Sequence, residues 1–150
     1  MTSDVTQIGQ YQIESRIGEG GMGAVYLGRH VHLGMKAAIK TILKRSLAGD
    51  DSVVRLLDEG RALAKLQHPN IVRVLDFFES EGNFYLIMEF VDGSSLKQRL
   101  ETGPLEMSEA LRIARAVGTG IVAAHSQNIL HRDIKPSNVM LGKKIGRAHV

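Results

Sequence analysis

The chain has 150 residues, of which 43% are hydrophobic and 23% charged, and it contains no cysteine. This composition is ordinary for a globular domain with its own core, and it excludes disulfides and thiolate metal sites. The net charge is +3, but Lys143, Lys144 and Arg147 lie in the last eight residues, and the other 142 carry 16 basic and 16 acidic side chains. We therefore expect no nucleic-acid-binding surface. No apolar run is long enough for a membrane-spanning segment.

The first part of the chain is predicted to be mainly β-structure. Short runs rich in β-branched and aromatic residues indicate strands at 11–18, 24–30, 35–43, 71–79 and 84–91. Between the third and fourth strands, residues 50–68 follow the apolar spacing of a helix, and Asp50 or Asp51 is available as its N-cap.

The second part is predicted to be helical. Residues 96–103 form a short helix that ends at a glycine, and residues 108–128 a long one with Ser108 as its N-cap. The core-facing stripe of the long helix is predicted to consist of Leu111, Ala114, Val117, Ile121 and Val122. Because the strands are grouped before the helices, the fold class is α+β, with a mainly β first lobe and a helical second lobe.

A glycine-rich segment, GEGGMGAV at 18–25, matches the pattern G-x-G-x-x-G-x-V. Glycines allow the backbone to approach a phosphate closely and to offer its N–H groups. The same glycines also suit the dinucleotide-binding turn of a dehydrogenase, but that turn is followed by a helix. Here AVYLG follows, which is typical of a strand, so a strand–loop–strand hairpin is favoured.

Two further motifs follow this loop along the chain. Residues 37–40 read AAIK on the third predicted strand, and residues 131–138 read HRDIKPSN. The three motifs, in this order, resemble those of protein kinases over residues 11–142. With Lys135 two residues after Asp133, the last motif is similar to that of the serine/threonine class.

The resemblance implies a protein-kinase-like two-lobe fold for an incomplete kinase domain at 11–150. Residues 11–88 are expected to form a β-rich N-lobe with one long helix, 89–93 a hinge, and 94–142 the first part of the helical C-lobe. The Asp-Phe-Gly metal site and activation loop of the family do not occur in this sequence. We therefore expect this fragment to be inactive. We also expect the stripe of its long helix to remain exposed, because the later helices of the family would cover it.

The resemblance also implies a nucleotide site. The residues expected to bind ATP are Ile17, Gly18, Gly20, Gly23, Val25, Ala38, Lys40, Met88, Glu89 and Val91. Lys40 would hold the α- and β-phosphates and form an ion pair with Glu59 of the long helix in the first lobe. Because Asp58 is adjacent to Glu59, spacing alone leaves the choice between these two acids open.

By the same resemblance, Asp133 would accept or orient the substrate hydroxyl, Lys135 would steady the γ-phosphate, and Asn138 would bind Mg²⁺. The implied activity is ATP-dependent phosphorylation of serine and threonine side chains of proteins, in the cytoplasm. The alternative is a pseudokinase-like module that binds a nucleotide or a partner without turnover. The presence of Lys40 with Asp133 and Asn138 argues against that alternative. Nothing in the sequence indicates the oligomeric state.

The last eight residues depart from the family pattern. Ile145–Val150 is the peptide that one reading frame of a common sequencing adapter, ATCGGAAGAGCACACGTC, would encode. We therefore expect residues 143–150 to be a non-native tail.

Overall fold

The computed structural model describes residues 6–20, 23–47, 49–131, 133–143 and 148–149. The chain divides into two compact units. The first unit comprises the described residues up to Ala64 together with Val74–Phe90, and the second comprises Lys65–Arg73 together with the described residues from Val91 onward. The prediction of an α+β fold with a mainly β first part is confirmed.

The first unit contains a six-stranded antiparallel sheet and one helix. The strands are β1 (Gln7–Ile8), β2 (Tyr11–Gly20), β3 (Gly23–His30), β4 (Lys36–Leu43), β5 (Val74–Ser80) and β6 (Asn83–Glu89), and helix α1 spans Asp50–Lys65. Their order across the sheet is β1-β2-β3-β4-β6-β5. Every neighbouring pair is antiparallel, so short turns connect most of the strands.

One face of this sheet carries a core cluster of the first unit. Its buried residues are Ile8, Ala37, Ile39, Tyr85 and Ile87. Helix α1 begins at Asp50, so the predicted N-cap is wrong: Asp50 and Asp51 both lie in the first turn, where the helix dipole favours acidic side chains. Gly60 is the buried residue of α1, and a Cβ there would lie 3.3 Å from the ring of Phe77. The glycine therefore lets the helix approach strand β5 closely.

The second unit is helical with a small sheet. Helix α2 spans Leu96–Glu101 and helix α3 spans Met107–Ser126. Strands β7 (Gly93–Ser95), β8 (Met140–Gly142) and β9 (Ala148–His149) pair in that order. Of the tail, residues 144–147 and 150 lie outside the described residues, and 148–149 form β9. None of the described helices combines the length and apolarity needed to cross a membrane.

Helix α3 differs from its prediction in two respects. It begins at Met107, since the N–H of Ala110 bonds to the carbonyl of Glu106, so Ser108 lies inside the first turn and is not the cap. The buried face consists of Ile113, Gly120 and Ala124.

The predicted stripe of α3 coincides with this face only in part, since Val117 packs against Ile113 and Val139 and Ile121 is half-buried. Leu111 and Val122 are 63% and 69% exposed, as expected for a stripe without helical partners, and Ala114 is also exposed. The helix is rotated from its predicted phase because Ile113 packs on buried Val139, while Gly120 lies against the main chain of Asn70.

Candidate active site

The glycine-rich segment lies at the paired ends of two antiparallel strands. Strands β2 and β3 pair Gly18 with Val25 and Gly20 with Gly23, and residues 21–22 lie outside the described residues. The strand after the glycines rules out the dinucleotide-binding turn, which requires a helix there. A Cβ at Gly23 would collide with the carbonyl oxygen of Thr41 on β4. Glycine at position 23 thus permits the hairpin to lie against the neighbouring strand.

Four of the predicted nucleotide-binding residues lie on one face of the sheet. Val25 is directly opposite Lys40, and Ala38 is directly opposite Met88. Directly paired residues in an antiparallel sheet present their side chains on the same side, and Ala38 and Lys40 are two residues apart on β4. This face is opposite to the one that carries Ile39, and it also carries the buried pair Ile42 and Phe84.

The remaining predicted nucleotide-binding positions lie at the ends of strands or at an irregularity. Ile17 falls at a register shift of β2, between Arg16 and Gly18, and is 47% exposed. Glu89 is the last residue of β6 and pairs with Ala37, while Val91 follows in the second unit.

The predicted ion pair between Lys40 and Glu59 is not formed within the described part of the chain. Lys40 is half-buried on β4, whereas Glu59 is exposed on α1. Asp58, the other acid at this point, forms an exposed ion pair with Arg61 at 3.1 Å. Asp58 and Glu59 therefore differ in their ion pairing, because Asp58 has a cationic partner on its own helix.

The second unit gathers the three polar residues of the HRDIKPSN segment. Nδ2 of Asn138 donates to Oδ2 of Asp133 at 2.9 Å, and Nζ of Lys135 lies 3.3 Å from the same oxygen. The N–H of Asp133 donates to Nδ1 of His131 at 3.3 Å. The structure therefore places Lys135 and the candidate metal ligand Asn138 around the carboxylate of Asp133, the candidate catalytic residue.

The surroundings of Asp133 favour its charged form. Hydrogen bonds from Lys135 and then from Asn138 hold the pKa of the Asp133 carboxyl below its usual value. The positive charge of Lys135 acts in the same direction, and desolvation opposes these effects. The carboxylate is therefore ionised and able to accept a hydrogen bond from a hydroxyl near neutral pH.

Val139, which the sequence did not single out, fixes this segment to the core of the second unit. Residues 136–138 form a single 3₁₀ turn, and buried Val139 follows it and packs against Ile113 of α3. The carbonyl of Val139 accepts a hydrogen bond from the N–H of Leu96 at 2.8 Å. The signal in the sequence was the apolar run VML directly after Asn138.

Asn138 is the only predicted metal ligand among the site residues. Its Nδ2 makes both bonds to Asp133, so the amide oxygen, a ligand type that suits Mg²⁺, is left for a cation. Across the described ranges, no group of three His, Cys, Asp or Glu residues is placed to hold a metal ion.

The hairpin, the sheet face and the polar cluster together define a chain of the protein kinase class. The family model described as protein kinase domain matches residues 11–147, and the chain belongs to this family.

Individual relatives agree with the family. The chain is 41% identical over 135 residues to serine/threonine-protein kinase pkn2 of Myxococcus xanthus, covering 90% of this chain and 16% of the relative. It is 41% identical over 135 residues to serine/threonine-protein kinase PrkC of Bacillus subtilis, covering 89% of this chain and 21% of the relative. The chain thus spans about a fifth or less of the length of these relatives.

A solved structure is also similar. The crystal structure of the Mycobacterium tuberculosis PknI kinase domain superimposes with a TM-score of 0.84 at 31% sequence identity. The alignment covers 96% of this chain and 59% of that one. The prediction of a protein-kinase-like fold is therefore confirmed.

Proposed function

We propose that this chain is part of a serine/threonine protein kinase that transfers the γ-phosphoryl group of ATP to hydroxyl groups of proteins. The observation that carries the proposal is the cluster in which Lys135 and Asn138 both bond the ionised carboxylate of Asp133. Family membership and relatives named as serine/threonine-protein kinases support it.

In this proposal Asp133 orients the attacking hydroxyl. Its exposed, ionised carboxylate accepts the hydrogen bond of a serine or threonine O–H and takes up the proton as the oxygen bonds to phosphorus. Asn138 holds the carboxylate in place through the 2.9 Å bond to Oδ2. Lys135 is 54% exposed at its side chain, so its ammonium can also reach a phosphate oxygen bound beside Asp133. Positioning and charge then supply most of the catalysis.

The nucleotide would be held by the face of the sheet that carries Val25, Ala38, Lys40 and Met88. Val25 and Ala38 are aliphatic and suit the adenine ring, while Lys40, opposite Val25, supplies a cation for the phosphates. The hairpin of β2 and β3 brings glycine backbone next to this face, where N–H groups can bond phosphate oxygens.

Asn138 is the residue that would hold Mg²⁺, through the amide oxygen left by its bonds to Asp133. When bound, the ion neutralises part of the charge that the phosphates carry. Among the described residues the resemblance assigns one such ligand, Asn138, and the others are proposed to come from a longer protein. We therefore assign the catalytic activity to that protein, with cytoplasmic ATP as phosphoryl donor and protein side chains, not nucleic acid, as acceptors.

The test is a phosphoryl-transfer assay on the protein expressed from its complete source gene. With radiolabelled ATP and a protein substrate, we expect label on serine and threonine and a loss of about 100-fold or more in Asp133→Asn. Asp51→Asn removes an exposed acid from the first turn of α1 and is the matched control, with unchanged activity. Binding of ATP without any transfer by the unsubstituted protein would overturn the proposal and favour a pseudokinase-like binding module.

A further inference from the structure

An open groove of about 490 Å³ lies on helix α3 within the second unit, and none of its wall residues belongs to the HRDIKPSN segment. Its walls are formed by Asn70, Leu111, Arg112, Arg115, Ala116 and Thr119. Leu111 is 63% exposed and Ala116 is half-buried, so one side of the groove is aliphatic. The two arginines, the asparagine and the threonine make the rest of it polar.

The groove is cationic. Arg112 and Arg115 are exposed, and neither forms an ion pair with any residue in the described part of the chain. Residues three apart on a helix lie side by side, with Cβ atoms about 5–6 Å from each other. Residues 65–73 and 110–132, which supply the walls, contain no Asp or Glu. Glu109, three residues before Arg112 on α3, forms an ion pair with Arg99 at 2.9 Å. The positive charge of the groove is thus not neutralised by nearby acids of its own segments.

The end of the groove is fixed by close packing between α3 and the loop before β5. A Cβ at Gly120 would lie 3.1 Å from the carbonyl oxygen of Asn70, so glycine allows the helix and the loop to touch. The single proton of the Thr119 hydroxyl is shared between the carbonyl oxygen of Ala116 at 2.9 Å and Oδ1 of Asn70 at 3.2 Å. The N–H of Asn70 in turn donates to Nδ1 of His68 at 3.1 Å. The groove is therefore present before a ligand arrives, which lowers the entropic cost of binding.

We propose that this groove docks a protein segment that carries a phosphorylated serine or threonine. A phosphorylated side chain has a charge of about −2 and three acceptor oxygens, which matches two adjacent guanidinium groups better than a single carboxylate does. An aliphatic residue next to the phosphorylated one would pack on Leu111 and Ala116. The choice of phosphate rests on the proposed function, because the reaction produces such segments.

Binding is measured by fluorescence anisotropy on this chain, with its fold checked by circular dichroism. The probe is a labelled peptide, Ala-Leu-pThr-Ala-Leu-Ala, compared with the same peptide bearing threonine or glutamate. We expect the phosphopeptide to bind about tenfold or more tightly than either of the others. Arg112→Gln combined with Arg115→Gln should weaken its binding by about tenfold or more.

Arg45→Gln combined with Arg55→Gln is the matched control. Both are exposed arginines of the first unit, so this variant loses the same charge away from the groove, and we expect a change below about twofold. Equal losses in the two double variants would show non-specific attraction and overturn the proposal. Equal binding of the glutamate peptide would also overturn it, in favour of acidic segments. The measurement needs no phosphoryl transfer, so failure of the kinase assay would leave a positive binding result intact.

Discussion

The side-chain amide of Asn138 donates to Asp133 twice, to Oδ2 at 2.9 Å and to the main-chain oxygen at 2.8 Å. Both bonds use Nδ2, so the amide holds the carboxylate against its own backbone and leaves Oδ1 outside the pair of bonds. The predicted metal ligand therefore also positions the predicted hydroxyl-binding carboxylate. Neither group can be altered without a consequence for the other.

Removing either hydrogen-bond donor should raise the pKa of Asp133. Lys135 makes the largest contribution to the lowered pKa and Asn138 the next, so we expect a rise in Lys135→Ala and a smaller one in Asn138→Ala. In the unsubstituted chain the carboxylate stays charged to a lower pH than usual, and in both variants it becomes protonated at a higher pH. A ¹³C NMR titration of the carboxyl carbon measures the shift directly.

Ser137→Ala is the control for this titration, since Ser137 lies in the same 3₁₀ turn and is exposed. It should leave the pKa of Asp133 unchanged. A larger rise in Asn138→Ala than in Lys135→Ala would contradict the assigned order of the two contributions.

Two glycines of α3 should respond in opposite ways to the same substitution. A Cβ at Gly118 would meet nothing within 4 Å, so Gly118→Ala should stabilise the chain by about 1 kcal/mol through helix propensity alone. At Gly120 the added carbon would lie 3.1 Å from the oxygen of Asn70 and 3.3 Å from Cγ1 of Ile71. Gly120→Ala should therefore be less stable than Gly118→Ala by about 1–3 kcal/mol. Urea unfolding compares the two variants, and equal midpoints would show that α3 does not pack on this loop.

The stability of the N-terminus of α2 is predicted to depend on the hydroxyl of Ser95, its N-cap. Oγ of Ser95 accepts from the N–H of Gln98 at 3.1 Å, and Oε1 of Gln98 accepts from the N–H of Ser95 at 2.9 Å. Ser95→Ala breaks the first bond and should lower the free energy of unfolding by about 1 kcal/mol. Urea unfolding measures the loss, with the neighbouring Ser94→Ala as control. A similar loss in both variants would mean that the cap contributes nothing of its own.

Much of the first unit could be predicted because its signals are local. The alternation of AVYLG and the β-branched run around Lys40 indicate strands whatever they pack against, and the structure has β3 and β4 there. Three motifs in order, the glycine pattern, AAIK and HRDIKPSN, then indicated the protein kinase family. The capping box at Ser95 was also visible, as serine followed three residues later by glutamine, but it was not recognised.

The rotation of α3 could not be predicted, because long-range packing decides it. Counting large apolar residues selects Leu111 and Val122, yet both are exposed. The buried face includes Gly120, which has no side chain and adds nothing to an apolar stripe, but whose small size permits contact with the loop at Asn70. Close approach of two backbones leaves little trace in hydrophobic spacing.

The last prediction separates the two adjacent acids of α1. In the protein from the complete source gene, Glu59→Gln should lower kcat/KM for ATP by about tenfold or more, because the resemblance gives Glu59 the task of holding Lys40 while nucleotide is bound. Asp58→Asn should leave kcat/KM nearly unchanged, since Asp58 is 66% exposed at its side chain and pairs with Arg61. Glu59 is exposed too, so neither variant should change the thermal stability of the free protein.

If Glu59 acts through Lys40, combining Glu59→Gln with Lys40→Ala should lower kcat/KM little more than Lys40→Ala alone. Additive losses, or a larger effect at Asp58, would contradict the assignment.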